Sequence, residues 1–198
     1  MKQKQSLAIF GEGITEWYYI DSLRIARRFP FKLHPSLPQH SDIKHMLAQA
    51  KKCIGEGYDE VVCLIDMDRL NAIPSEKQAY LKAKSQTAYR KVTFVETDPC
   101  TEYWFLMHFM PQLSKRNFAN YEAVELELRK HMPGYEKAET YLRRIHLYDF
   151  LCQNGNLEQA LTFAKRSADL HDEGNENSYS QMYKLFEKLE IFDKKTRK

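Results

Sequence analysis

Val61-Val62-Cys63-Leu64-Ile65-Asp66-Met67-Asp68 is a β-branched apolar run that ends in two carboxylates. A strand covered on both faces reads as a continuous apolar run, so the segment predicts a central parallel strand with its charges at the carboxyl edge. Residues i and i+2 of a strand share a face, which puts Asp66 and Asp68 on one side and Met67 on the other. Two like charges held that close cost energy unless a cation lies between them. Mg²⁺ and Mn²⁺, which prefer hard oxygen ligands, would meet that need. Two surface aspartates where a strand meets its loop are the alternative.

Upstream, Leu7-Ala8-Ile9-Phe10-Gly11-Glu12-Gly13-Ile14-Thr15-Glu16 takes an apolar strand through Gly-Glu-Gly into a helix with Thr15 as expected N-cap. Ligands of open α/β sheets bind at the carboxyl ends of the strands. If the two strands are neighbours, Glu12 joins Asp66 and Asp68, and three carboxylates converge. The glycines suit a tight turn and a phosphate close to the backbone. An ordinary βα turn with a solvated glutamate stands beside that reading, because Gly-Glu-Gly is neither a Walker loop nor a dinucleotide fingerprint.

A chain of 198 residues holds one domain, or one with a helical extension. With 43% hydrophobic and 29% charged residues it has an ordinary globular composition, and a net charge of +3 is too small to argue nucleic-acid binding. No stretch approaches the roughly 18 apolar residues of a membrane span, and the Met-Lys-Gln-Lys-Gln start lacks a signal core. Cys53, Cys63, Cys100 and Cys152 are scattered, without a Cys-x-x-Cys pair, which argues for a reduced, cytoplasmic protein without a zinc site.

The first half alternates strand and helix. Strands are expected at Ser6–Phe10, Phe31–Pro35, Val61–Asp66 and Val92–Thr97. Helices are expected from Thr15 to Arg28, from a Ser41/Asp42 cap to Gly55 or Gly57, and from Ser75 to Tyr89, with Asp68 to Pro74 as a loop. Such alternation implies a parallel sheet. Beyond Pro99 the pattern is helical, at Thr101–Phe109, Tyr121–His131, Glu139–Gln153, Leu157–Asp169 and Ser178–Phe192, with a charged tail from Asp193. The expected division is an α/β core over 1–110 and a helical extension over 111–198 packed on it as one compact unit.

A third motif, Pro99-Cys100-Thr101-Glu102-Tyr103-Trp104-Phe105-Leu106-Met107-His108-Phe109, leaves the last strand and enters a helix that Thr101 would cap. Together with Gly-Glu-Gly-x-Thr-Glu and Asp-x-Asp, it resembles the RloB family of bacterial defence proteins, of the abortive-infection type. Gly134-Tyr135-Glu136-Lys137 is similar to that family's Tyr-x-Lys, and Asn175 to Tyr183 to its Asn-rich segment before the last helix. Two departures stand out: Arg69-Leu70 follows the Asp pair in place of an acid and an aromatic, and Thr97-Asp98-Pro99 replaces the common Ser-Asn-Pro. Neither removes a carboxylate.

The resemblance implies a Toprim-like (Rossmann-like) fold and Mg²⁺-dependent (or Mn²⁺-dependent) phosphodiester hydrolysis on DNA or RNA in phage defence, beside an AAA- or ABC-type ATPase. It implies Glu12, Asp66 and Asp68 as catalytic and metal-binding residues, Glu16 and Glu102 as further ligands, and Lys137 as a catalytic cation. The alternatives are a capping-type surface glutamate for Glu16, an acid that favours its helix N-terminus for Glu102, and a surface loop lysine for Lys137. Glu12 is either a ligand or the general base. His108 and Trp104 read as core. Arg24, Arg27, Arg28, Lys51, Lys52, Lys115-Arg116 and Arg143-Arg144 read as solvated faces, and His171-Asp172-Glu173 as a loop whose Asn177 or Ser178 caps the final helix. The competing readings are a non-catalytic effector or sensor subunit of an ATPase complex and, further behind, a phosphatase of the haloacid dehalogenase type. The phosphatase needs a nucleophilic aspartate, normally a Thr or Val where Leu70 stands, and an Asp pair on the first strand.

Overall fold

Alternating side chains build the centre of the molecule. Along β1 (Leu7–Phe10) and β3 (Glu60–Asp66), Leu7, Ile9, Val62 and Leu64 point to one face. Ala8, Phe10, Val61, Cys63 and Ile65 point to the other, and all of these side chains are buried. In this computed structural model, which describes residues 6–29, 31–34 and 42–196, β1 and β3 pair in parallel, with Phe10 beside Cys63. The short β2 (Lys32–His34) lies outside β1, and β4 (Val92–Thr97) lies outside β3, both parallel. The order β2-β1-β3-β4 reverses its direction of growth between β1 and β3. At such a switch point an open parallel sheet leaves a crevice beyond its carboxyl edge.

Helices cover both faces. Helix α2 (Ile43–Gly55), α3 (Met67–Ala72) and α4 (Pro74–Ser85) bring Ile43, Met46, Leu47, Leu70 and Tyr80 onto the Phe10 face. The Ile9 face is covered by α1 (Ile14–Arg27), α5 (Thr101–Met107) and α6 (Tyr121–Leu128). The helices α7 (Glu139–Ile145), α8 (Leu147–Asn154), α9 (Leu157–Asp172) and α10 (Met182–Thr196) extend the same apolar cluster. Tyr19, Trp104 and Phe105 lie at its heart, each 0% exposed. Burying one such side chain is worth about 1.5–3 kcal/mol, against ~0–1 kcal/mol for an exposed ion pair such as Lys52–Glu56. Packing of the apolar helix faces, rather than surface charge, therefore holds the helical half on the sheet.

Several elements end elsewhere than the sequence predicts. The strand β3 stops at Asp66, and Asp68 lies in the first turn of α3. Asp66 and Asp68 are thus not an i, i+2 pair on one strand face, and the segment expected as a loop is largely helix. The Asp68 amide donates to the Pro99 carbonyl at 2.9 Å, a bond that turns the chain out of the strand. Helix α1 starts after Gly13 and α5 after Cys100, so Thr15 and Thr101 are not caps but first-turn residues with other partners. The expected helix to Tyr89 ends at Ser85, followed by a 3₁₀ turn at Thr87–Tyr89.

The expected Glu139–Gln153 helix breaks at His146, which adopts a left-handed conformation with φ 50°. The ninth helix runs on through His171 to Asp172. The last helix starts at Met182, not Ser178, because Tyr179–Gln181 runs extended along β4. There the Asp98 amide donates to the Tyr179 carbonyl (2.8 Å), the Gln181 amide donates to the Glu96 carbonyl (2.7 Å), and Thr97 bridges Ser180 antiparallel. Ser178 accepts from the Phe118 amide at 2.9 Å instead of capping a helix. Ser41, the Pro35 end of the expected second strand and the last two tail residues lie outside the described residues.

Candidate functional site

The chain leaves β1 through Gly11-Glu12-Gly13, and α1 folds back tightly over that turn. A Cβ on Gly11 would lie 2.6 Å from the Glu16 Cβ, so the approach requires glycine. Glu16 accepts a hydrogen bond from the Gly13 amide at 2.9 Å. Glu12 is 8% exposed, and its Oε1 has no hydrogen-bond partner among the described residues. Burial pushes the Glu12 carboxyl up to about 8, with Glu16 adding repulsion while Arg69 and a hydrogen bond with the Asp66 backbone oppose it.

One strand over, Asp66 closes β3. Its Oδ1 accepts from both the amide and the hydroxyl of Thr101, each at 2.9 Å. Burial holds the Asp66 carboxyl well above the usual carboxylate range, and Glu16, Glu102 and Glu12 push the same way against Lys137. Four acids from three segments therefore act on one another at the carboxyl edge.

Glu102, in the first turn of α5, is fully buried. Its Oε1 accepts from Tyr135 OH at 2.8 Å and Thr15 Oγ1 at 3.3 Å, and faces Lys137 Nζ at 3.2 Å. Its Oε2 is buried without a partner among the described residues. Burial alone would lower the Lys137 ammonium, but Glu102, Glu16 and Asp66 hold it above its ordinary value. The same ammonium lies 4.8 Å from the centre of the Tyr121 ring, a cation–π contact.

Asp68 stands apart from this knot. It is half-buried, its Oδ1 accepts from the Arg69 amide at 2.5 Å, and burial raises its carboxyl. It lines an open cleft of about 740 Å³ with Arg69, Asn71, Asp98, Asn117 and Asn120. Arg69 meets the Glu76 carboxylate with two bonds of 3.1 Å.

The fold thus brings Glu12, Glu16, Asp66, Glu102 and Lys137 together and puts Asp68 on the adjoining cleft. Every candidate ligand is a hard oxygen, the donor type that Mg²⁺ and Mn²⁺ take, and two buried carboxylate oxygens, Glu12 Oε1 and Glu102 Oε2, lack partners among the described residues. As the side chains stand, no three His, Cys, Asp or Glu groups among the described residues form a ready coordination set. Asp66, Glu16 and Glu102 are turned onto Thr101, Gly13 and Lys137.

Thr15, Thr101 and Tyr135 are partners that the sequence reading did not assign. Tyr135 had a visible signal in the Tyr-x-Lys spacing, whereas the two threonines had none beyond their place beside Glu16 and Glu102. Elsewhere, Glu96 is a neutralised counterpart of Glu12. Burial would raise its carboxyl, but Lys84 Nζ (2.6 Å), Tyr80 OH and Tyr179 OH (2.9 Å) hold it below the usual range.

His108 is buried with Nδ1 3.0 Å from the Trp104 carbonyl, and burial lowers its imidazole to about 4, as befits a core residue. His171 stacks on Tyr179 at 3.8 Å. Arg24, Lys52 and Arg116 pair with Asp21, Glu56 and Glu127. Among the described residues no helix is long and apolar enough to cross a membrane.

A family model described as RloB-like protein matches residues 7–189, nearly the whole chain. No curated protein and no solved structure matches it.

Proposed function

The chain belongs to the RloB-like family, and on that premise we propose that it is a Toprim-like nuclease that hydrolyses nucleic-acid phosphodiesters with Mg²⁺ or Mn²⁺ in bacterial anti-phage defence, beside an ATPase partner. The supporting observation is that Glu12 and Asp66 leave adjacent strands at the switch point of the sheet and are buried where desolvation and neighbouring acids oppose their ionisation. Ionising buried acids that repel one another is costly, and a bound divalent cation would offset that cost.

In this reading Glu12, Asp66 and Asp68 hold the cation, with Glu16 and Glu102 behind them. A bound Mg²⁺ would polarise a phosphoryl oxygen and lower the pKa of a water. Thr101 fixes the Asp66 carboxylate, and Tyr135 and Thr15 fix Glu102. If Asp66 and Asp68 alone hold the cation, Glu12 would instead serve as the general base toward the attacking water. Nucleic acid would lie along the cleft past Asp68, Asn117 and Asn120.

A second reading, a non-catalytic effector subunit on an ATPase, draws on the commitment of Asp66, Glu16 and Glu102 to protein donors. The deciding experiment is cleavage of plasmid DNA and bulk transfer RNA by the purified chain with Mg²⁺ or Mn²⁺, beside an Asp66→Ala/Asp68→Ala protein. Metal-dependent cleavage lost in the double variant supports the nuclease. Equal inertness of both proteins, with and without the ATPase, moves the effector reading ahead.

A further inference from the structure

The cleft beside Asp68 is badly equipped for a phosphate. Asp68 and Asp98 line it with negative charge, and Arg69, the basic group on its wall, is engaged by both oxygens of Glu76. A phosphodiester entering such a cleft needs a cation from elsewhere. Lys137 is at hand, since its ammonium acts on Asp68 as well as on Glu102. It also lies over the ring of Tyr121, the residue that follows the cleft residue Asn120.

Lys137 comes from the irregular stretch between α6 and α7, and its side chain remains 38% exposed while Glu102 is fully buried. One end of the pair is rigid and the other is a flexible stem open to solvent. The ammonium faces the same acids, Glu102, Glu16 and Asp66, that a divalent cation would face. Two cations cannot both lie there without repelling each other.

Resting on the metal-site reading above, we infer that Lys137 changes partner: it is the resident counter-ion of the buried carboxylates until a divalent cation displaces it, and it then binds substrate phosphate in the cleft. The carboxylate site and the phosphate site are then coupled through one side chain, so cation binding prepares the cleft for its anion.

The test measures Mn²⁺ affinity by calorimetry for the wild type, Lys137→Met and Asp66→Asn/Asp68→Asn, with no substrate present. Removing the competing charge is expected to tighten Mn²⁺ binding roughly tenfold in Lys137→Met, while the double aspartate variant loses it. Lys137→Arg keeps a cation in place and covers the case in which Lys137→Met does not fold; it should bind Mn²⁺ no tighter than the wild type.

In parallel, the wild type carrying ¹³C-dimethylated lysines is titrated with Mg²⁺, the Lys137 signal being identified by its absence in Lys137→Arg. Departure from the Tyr121 ring should shift that signal. Wild-type Mn²⁺ binding that Lys137→Met leaves unchanged, or a Lys137 signal that saturating Mg²⁺ does not move, overturns the exchange while the metal site stands. Absence of Mn²⁺ binding in the wild type overturns both.

Discussion

Thr101 grips Asp66 twice through one oxygen, with backbone N–H and side-chain O–H both 2.9 Å from Oδ1. The contact ties the end of β3 to the start of α5, so an acid of the candidate site also joins the sheet to its most buried helix. Removing the hydroxyl alone in Thr101→Val is expected to cost about 1 kcal/mol. Asp66→Asn should cost less in EDTA, because burial and three neighbouring acids already disfavour the charged form. Urea unfolding of both variants in EDTA checks the order. An Asp66→Asn protein much weaker than Thr101→Val would contradict it.

Glu12 gives stability a pH dependence of unusual sign for an acid. Its folded value is about 8 against 4.5 unfolded, so between those values the folded state holds the extra proton. Its contribution is full below pH 4.5 and is lost as pH rises through 8. Melting temperature in EDTA should therefore fall between pH 5 and pH 8 in the wild type and fall less in Glu12→Gln. Parallel curves for the two proteins would refute the assignment.

Glu96 behaves oppositely. Its carboxyl is held below 4.5, so its contribution is present above that value and lost as pH falls through the folded one. Glu96→Ala strands two tyrosine hydroxyls and unpairs Lys84. Because the lysine is half exposed and its ammonium can be rehydrated, most of the loss falls on Tyr80 and Tyr179, about 2–4 kcal/mol in total. Chemical unfolding at pH 7 measures it, and a loss under about 1 kcal/mol would show that water replaces the carboxylate.

Gly155 lies against the helix that carries Glu102. A Cβ there would come within 2.7 Å of the His108 Cβ and 2.9 Å of its carbonyl oxygen, whereas at Gly134 the nearest atom is 4.0 Å away. Gly155→Ala should lower stability by about 1–3 kcal/mol, with Gly134→Ala close to neutral. Equal melting temperatures for the two variants would mean that the α8–α9 turn moves aside freely.

Where a property depends on neighbours in sequence, the residues disclosed it. The apolar run Val61–Ile65 is a central parallel strand, whereas the adjacency of β1 and β3, on which the meeting of Glu12 and Asp66 depends, is only a condition in the sequence and is supplied by the pairing. The mixed α/β class with a helical second half was legible for the same reason.

What the sequence hid depends on distant partners. The Pro99 carbonyl that ends β3 lies thirty-one positions beyond Asp68, so no local pattern separates a strand that continues from one that turns into helix. Tyr179–Gln181 looks like a helix start until β4 offers its edge. The meeting of Lys137 with Glu102 depends on how the loop before α7 reaches the start of α5, and the cleft wall facing Asp68 is supplied by residues 117–120, the segment before α6. Neither is a matter of periodicity.

The pairing of Tyr179–Gln181 with β4 carries a consequence for biosynthesis. Thr97 and Ser180 are 83 positions apart, yet the backbone around Asp98 has its hydrogen bonds only when both are present. A nascent chain that has already emerged past β4 still carries an open sheet edge, available to other strands. The wall of the cleft beside Asp98 is completed only when the segment leading into α10 arrives. Assembly of the site therefore waits for residues 178–181, and a chain stalled before residue 178 would carry an adhesive edge and an unfinished cleft.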